Sequence, residues 1–286
     1  MIQKSYDNKP KLYIVPTPIG NLEDITLRAL RILKEVDVIF AEDTRTTNIL
    51  LKHYDINQKL LSSHLYNEEK MQEKEIDYLK EGKNIAVVSD AGTPVISDPG
   101  YILVKNAIKE GYNVICLPGP TAIIPAVVMS GLAGGPFTYY GFLNSKESKR
   151  KKELETLKNN PYPIVFYEAP HRIIKTLNNI KTIFGNRNIS IVREISKKYE
   201  EVSRDNVENI LKTVENFKGE IVLVVEGNSK QKNYDELSII KHIELYIEDG
   251  MTSKDAIKIV AKERNLPKSE VYMEYVNNRN WSSISF

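Results

Sequence analysis

The chain has 286 residues and a net charge of +2, with 41% hydrophobic and 27% charged side chains. At roughly 150 residues per domain this is material for about two domains, and the apolar content excludes wholesale disorder. No run of about 18 apolar residues exists, so no membrane-spanning helix is expected, and the polar Met1–Lys11 segment lacks the apolar stretch of a secretory signal. The single cysteine, Cys116, excludes an intrachain disulfide framework and a cysteine-built zinc site, and it fits a reducing cytoplasm.

After a tail at 1–10, short apolar runs alternate with amphipathic stretches. Strands are expected at Lys11–Val15, Asp37–Ala41, Asn84–Ser89 and Asn113–Leu117, and helices at Ile25–Val36, Thr44–Tyr54, Glu68–Glu81 and Pro99–Glu110. Thr26 marks the start of the first helix. Asp98-Pro99 reads as a cap followed by a first-turn proline, and Gly111 stops that helix. The alternation predicts an α/β domain over 11–122 with a largely parallel sheet.

A connecting helix near Thr121–Ser130 leads into a second α/β domain, 123–228, with a hinge at Gly134-Gly135-Pro136. Its strands are expected at Thr138–Gly141, Ile164–Glu168, Ile189–Arg193 and Glu220–Val225, and its helices at Lys149–Asn159, His171–Phe184 and Asn206–Phe217. Polar residues from Asn228 to Asp235 read as a linker. A small helical domain, 229–286, follows with helices at Asp235–Glu248, Ser253–Arg264 and Lys268–Asn278, a pattern shared by helix–turn–helix units and any three-helix bundle. Residues 145–228 carry a net charge of +4, so the middle of the chain is the part suited to face a polyanion.

The informative loops sit where strands end, which is where open α/β sheets bind ligands. Val15–Leu22 is stiffened by Pro16, Pro18 and Gly20. Ala41–Arg45 places two carboxylates and an arginine at a strand-to-helix step, part of which helix capping by Asp43 or Thr44 explains. Ser89–Gly100 spends two aspartates, two glycines and two prolines on one turn, far more than a connection requires. Leu117–Ala122 opens a helix whose free N–H groups attract anions. Walker A and Gly-x-Gly-x-x-Gly patterns are absent, and His53, His64, His171 and His242 make no local metal-ligand motif, so no metal is expected.

With Gly141–Leu143, Tyr167–Arg172, Arg193-Glu194 and Gly219-Glu220, these four loops make eight ordered segments that resemble the tetrapyrrole methylase superfamily. Gly92-Thr93-Pro94 stands where the tetrapyrrole branches carry Gly-Asp-Pro. That departure, together with Glu42-Asp43-Thr44-Arg45, resembles the branch that methylates the ribose 2′-oxygen of 16S ribosomal RNA at the decoding-centre cytidine 1402. The likeness spans about Lys11 to Gly227, and the helical tail suits the same branch.

The resemblance implies two α/β domains of the class III methyltransferase type with a cleft between them, plus the small helical domain. It also implies S-adenosyl-L-methionine as cofactor, 16S rRNA or the small ribosomal subunit as partner, and a cytoplasmic homodimer with no membrane association. By position, Pro18, Asp90, Gly92, Thr93, Pro94, Ile96, Ser97, Thr121 and Ala122 should hold the methyl donor from the first domain. Phe142, Ala169, Pro170, Gly219 and Glu220 should approach it from the second. A ribose hydroxyl is a weak nucleophile and needs a proton acceptor or relay, for which Asp43, Glu168, Lys197 and His171 are candidates. Arg45, Arg172 and Arg193 read as phosphate or carboxylate partners, since a guanidinium offers a planar fork. Lys149, Arg150 and Lys151, within the basic run Lys146–Lys152, and His171 are the other RNA-facing candidates. Competing readings are a tetrapyrrole C-methyltransferase, against which the missing Gly-Asp-Pro counts, and a non-catalytic RNA-binding module.

Overall fold

The computed structural model describes residues 2–5, 7–63, 68–213, 218–228, 237–248 and 250–282. The chain divides into two compact units, Met1–Asn228 and Ser229–Phe286. In the larger unit, β1 (Lys11–Ile14), β2 (Val38–Ala41), β3 (Leu60–Ser62), β4 (Ile85–Val88) and β5 (Asn113–Cys116) form a wholly parallel sheet in the order β3-β2-β4-β1-β5. Its strands read as unbroken apolar runs because both faces are covered. Val15, Ile39, Ala86 and Val88 join one core with α1 (Leu27–Glu35) and α2 (Thr44–His53). Leu12, Ile14, Phe40 and Val87 join the other with α3 (Glu68–Lys80) and α4 (Tyr101–Lys109). Thr26 caps α1 as expected, its hydroxyl accepting from the Ala29 N–H at 3.0 Å.

Through α5 (Ile123–Ser130) the chain enters a second sheet, β6 (Thr138–Phe142), β7 (Ile164–Glu168), β8 (Asn188–Arg193), β9 (Glu201–Asn206) and β10 (Ile221–Val225), ordered β6-β7-β10-β8-β9. Only β6 and β7 run parallel; the other three pairings are antiparallel. Helices α6 (Glu147–Leu157), α7 (Ile173–Phe184) and α8 (Val207–Thr213) cover one face through Leu154, Leu177, Ile180 and Ile210, and α5 covers the other through Ala126 and Val127. The expected helix end at Phe217 lies outside the described residues.

Two expectations are corrected here. The helix read from Pro99 begins at Tyr101, capped by Gly100 at φ 116°, so Asp98 is no cap and its side chain is free for another task. Strands β3 and β9 have no counterpart in the sequence reading. β3 is a half-buried edge of three residues, and β9 (EVSRDN) is a polar edge held by its ladder to β8 rather than by apolar packing.

The smaller unit packs α9 (Ile239–Glu248), α10 (Ser253–Glu263) and α11 (Lys268–Ser282) around Ile243, Ile257, Val260, Val271 and Tyr275. The linker read over Asn228–Asp235 lies, from residue 229 on, outside the described residues, as does the expected helix start at Asp235. No helix among the described residues is long and apolar enough to cross a membrane.

Candidate active site

Strand β1 lies between β4 and β5, so the loops that follow these three strands emerge side by side from the carboxyl edge of the first sheet. They are sewn together. Thr17 and Gly92 exchange backbone hydrogen bonds of 2.9 Å in each direction, the Thr17 hydroxyl donates to the Ser89 carbonyl at 3.0 Å, and the Thr93 hydroxyl donates to the Pro120 carbonyl at 3.2 Å. Gly92 takes φ 77°, a left-handed turn that glycine adopts at little cost. Val95 (φ 78°) and Ser97 (φ 67°) hold the same sign of φ without that freedom. The Ser97 hydroxyl lies 2.7 Å from that of Tyr139 on β6, which clamps this loop to the second sheet.

Between the loops and the second sheet lies a cleft of about 410 Å³, within the range of small-molecule sites. Gly92, Thr93, Ile96, Ser97, Thr121 and Ala122 line it from the first sheet, and Phe142, Ala169, Pro170, Gly219 and Glu220 from the second. Three expected contacts are absent from its wall. Beside Pro18, it is Ile19 that faces the cleft. Asp90 turns away to accept the Asp43 N–H at 3.2 Å, and Pro94 is buried behind the loop. Gly219 has φ 86° and a Cβ there would fall 2.3 Å from the Glu194 carboxyl carbon, so the chain passes directly over that side chain.

Residues 11–211 match the tetrapyrrole (corrin/porphyrin) methylases. The chain belongs to this family. It is 48% identical over 283 residues to a Halalkalibacterium halodurans protein named ribosomal RNA small subunit methyltransferase I, covering 96% of this chain and 98% of that one. The Bacillus subtilis protein of the same name is 47% identical, with 96% and 97% covered. Among solved structures, the methyltransferase CobJ aligns with a TM-score of 0.59 at 16% identity over 77% of this chain and 95% of that one. Uroporphyrin-III C-methyltransferase from Thermus thermophilus, in complex with S-adenosylhomocysteine, aligns at 0.55 and 19% over 76% and 97%. These two likenesses bear on the fold.

In this methylase the catalytic candidates fare differently from their sequence reading. Glu168 is 3% exposed and held by the protein: it accepts from the Thr176 hydroxyl at 2.5 Å and the Ala169 N–H at 2.8 Å, and it pairs with Arg172 at 3.1 Å. It anchors the turn after β7, with both carboxylate oxygens already held by these protein partners. Lys197 pairs with Glu194 at 2.9 Å and Glu220 at 3.1 Å. Burial works against its charge, but the two carboxylates outweigh it and raise its pKa, so it stays an ammonium.

Asp43 caps α2 by accepting the Arg45 N–H at 2.8 Å, and the Arg45 guanidinium grips its carboxylate at 2.6 Å. That hydrogen bonding lowers its pKa to about 2, far too low for a base at neutral pH. Asp43→Asn should therefore keep the cap and leave single-turnover methyl transfer within about threefold of the parent. A rapid-quench time course checks this.

Among the RNA-facing candidates, His171, Lys149, Lys151 and Arg45 are exposed, Lys151 paired with Glu147 at 2.8 Å and Arg45 with Asp43. Arg193 is held by Glu201 and donates to the Lys218 carbonyl at 3.2 Å. Arg172 donates to the Leu143 carbonyl at 2.5 Å, so with its Glu168 pair it braces the β6 and β7 ends against each other. Arg150 is a clear correction: it is 2% exposed, beneath α6, and unreachable by a nucleic acid.

Asp98 lies outside the site residues that the sequence marks, because Asp-Pro before a helix reads as a cap. It lines the cleft, and burial together with the neighbouring Glu42 charge raises its pKa to about 6. A local clue exists in retrospect: Gly100, not Asp98, directly precedes the apolar helix, which leaves the aspartate unassigned. Among the described residues no group of three or more His, Cys, Asp or Glu side chains is placed to hold a metal ion.

Proposed function

We propose that this chain transfers a methyl group from S-adenosyl-L-methionine to a ribose 2′-oxygen of 16S rRNA, at the decoding-centre cytidine 1402. The observation that carries the reading is the cleft: stiff backbone turns, apolar walls at Ile19, Ile96 and Phe142, and hydroxyls at Thr93 and Thr121 suit a purine with a polar tail. The names of the relatives with 47–48% identity support rRNA as the acceptor. The sulfonium supplies an activated methyl carbon, and this chain's residues supply position. Ile96 and Phe142 shield the base, the Gly92–Thr17 bridge fixes the loop, and the Lys197–Glu194–Glu220 cluster sets charge at the far wall. Alignment of the ribose oxygen supplies much of the rate in such a displacement. The reading carries with it a cytoplasmic homodimer.

The test is transfer of labelled methyl from the donor to small ribosomal subunits lacking the modification, with mass mapping of the product. Label on a ribose of 16S rRNA is the expected result; label on a base or on a tetrapyrrole, or none on RNA, overturns the reading. RNA contact by α6 is a separate expectation. Lys146, Lys149 and Lys152 are exposed there, and changing all three to alanine should reduce the slope of log affinity against log salt by roughly two. An unchanged slope in filter binding returns this face to ordinary solvation.

A further inference from the structure

The turn from Glu194 to Glu200 joins β8 to β9, and it is built more firmly than a connection requires. Ile195 lines the cleft, and the Lys197 stem crosses Gly20 of the loop after β1 so closely that a Cβ there would fall 2.3 Å from its Cγ. The Ser196 hydroxyl donates to the Asp24 carboxylate, in the turn before α1. Within the turn the Ser196 N–H donates to the Glu200 carboxylate at 2.7 Å, and the Lys197 and Glu200 N–H groups donate to the Glu194 and Lys197 carbonyls at 3.0 and 3.1 Å. Glu194 (φ 52°) and Ser196 (φ 69°) hold left-handed backbone without the freedom of glycine, a conformation that persists only where its surroundings fix it.

Two neighbouring side chains of this turn are left outside. Tyr199 is 67% exposed, belongs to no hydrophobic core, and its hydroxyl bonds nothing among the described residues. The exposed Lys198 places its ammonium 5.6 Å from the centre of that ring and has no ion pair among the described residues. The nearby carboxylates are already engaged: Glu194 by Lys197, Glu200 by the Ser196 N–H, and Glu201 by Arg193. The turn therefore presents an open aromatic face beside an uncompensated positive charge.

Resting on the proposed ribose methylation, we infer that Tyr199 is a stacking platform for an unpaired base of the RNA strand that enters the cleft, with Lys198 meeting a phosphate beside it. The ribose oxygen must reach the donor's methyl group in line, within a cleft walled here by Ile195. A strand that delivers one ribose there breaks its own stack, and the bases so freed lose a π surface that an aromatic side chain restores. Such stacking tolerates any base, while the backbone alongside calls for a cation. A ring held on a fixed turn also loses little conformational freedom when it is covered.

The test uses the full chain and small ribosomal subunits lacking the modification. Tyr199→Ala should weaken subunit binding by about tenfold or more. The half-saturating subunit concentration should rise by the same factor, while the single-turnover rate at saturation stays within about threefold of the parent. S-adenosylhomocysteine affinity and melting temperature should not move. Tyr199→Phe keeps the ring and should bind within about twofold of the parent.

Salt dependence separates the two side chains. Lys198→Ala should reduce the slope of log affinity against log salt by roughly one, and Tyr199→Ala should leave it unchanged. A direct signal comes from Tyr199→Trp, whose fluorescence a short single-stranded RNA should quench beyond any quenching of Trp281 in the parent.

Parent-like subunit binding by Tyr199→Ala overturns the inference, as does a Tyr199→Trp protein without added quenching. A loss that Tyr199→Phe shares overturns it too, since the ring is then not what binds. So does a loss accompanied by a changed oligomeric state in sedimentation, which makes Tyr199 a contact between copies of the chain. If the parent methylates rRNA while Tyr199→Ala is unaltered, the proposed function stands and only this inference falls. A parent that methylates no rRNA overturns both.

Discussion

Thr93→Arg should abolish binding of S-adenosylhomocysteine, with a loss of at least about a hundredfold in affinity, or roughly 2.7 kcal/mol, and little change in melting temperature. Thr93 sits in the wall of the cleft on a backbone that cannot retreat: Gly92 before it is bridged to Thr17, and its own hydroxyl is bonded to the Pro120 carbonyl. A longer side chain at this position must project into the cavity, where its guanidinium would take the space between Ile19, Ile96 and Phe142. The fold is spared because residue 93 is half-exposed and outside both cores of the first sheet. Thr93→Ala is the calibrating variant, removing only the Pro120 bond, a change of about 1 kcal/mol in stability. Calorimetry on both proteins decides the matter. Normal affinity in Thr93→Arg places the ligand elsewhere.

The loops that build this cleft were legible in the sequence, and the direction of their side chains was not. Stiff, proline- and glycine-rich segments at strand ends mark a binding edge by composition alone. Whether Pro18 or Ile19, Asp90 or Ala91 faces inward depends on the Thr17–Gly92 bridge, a contact between residues 75 positions apart. The first sheet was legible for a related reason: strands covered on both faces are written as unbroken apolar runs. In the second sheet the antiparallel order could not be read from strand–helix alternation, and β9 carries no apolar signal because its stability is in the ladder to β8. Charge misled most. Glu168 and Arg172 look like active-site groups in a list of residues, yet they pair with each other and bond the backbone at the ends of β7 and β6.

Arg150 shows what such a misreading predicts wrongly and what replaces it. As one of several basic residues near the start of α6 it resembles an RNA contact, whose removal would weaken binding and spare the fold. Every third or fourth residue of a helix returns to one face, and here Arg150 and Leu154 share the buried one. The guanidinium donates to the Asn179 side chain at 2.7 Å and to the Asn144 and Ser145 carbonyls at 3.4 and 3.2 Å, tying α6 to α7 and to the turn after β6. Arg150→Ala removes these bonds, leaves acceptors unpaired and opens a void, which together should cost about 3 kcal/mol. For a unit of this size that is a fall of roughly 6–12 °C in melting temperature. Arg150→Met separates the terms. It refills much of the space and relieves the burial of a charge whose hydrogen-bond acceptors are neutral, so it should recover part of the loss, the remainder being the unpaired Asn179 oxygen and the two carbonyls. Thermal unfolding of both variants measures the split. An Arg150→Ala protein as stable as the parent, with a reduced salt dependence of RNA binding, would return Arg150 to the surface.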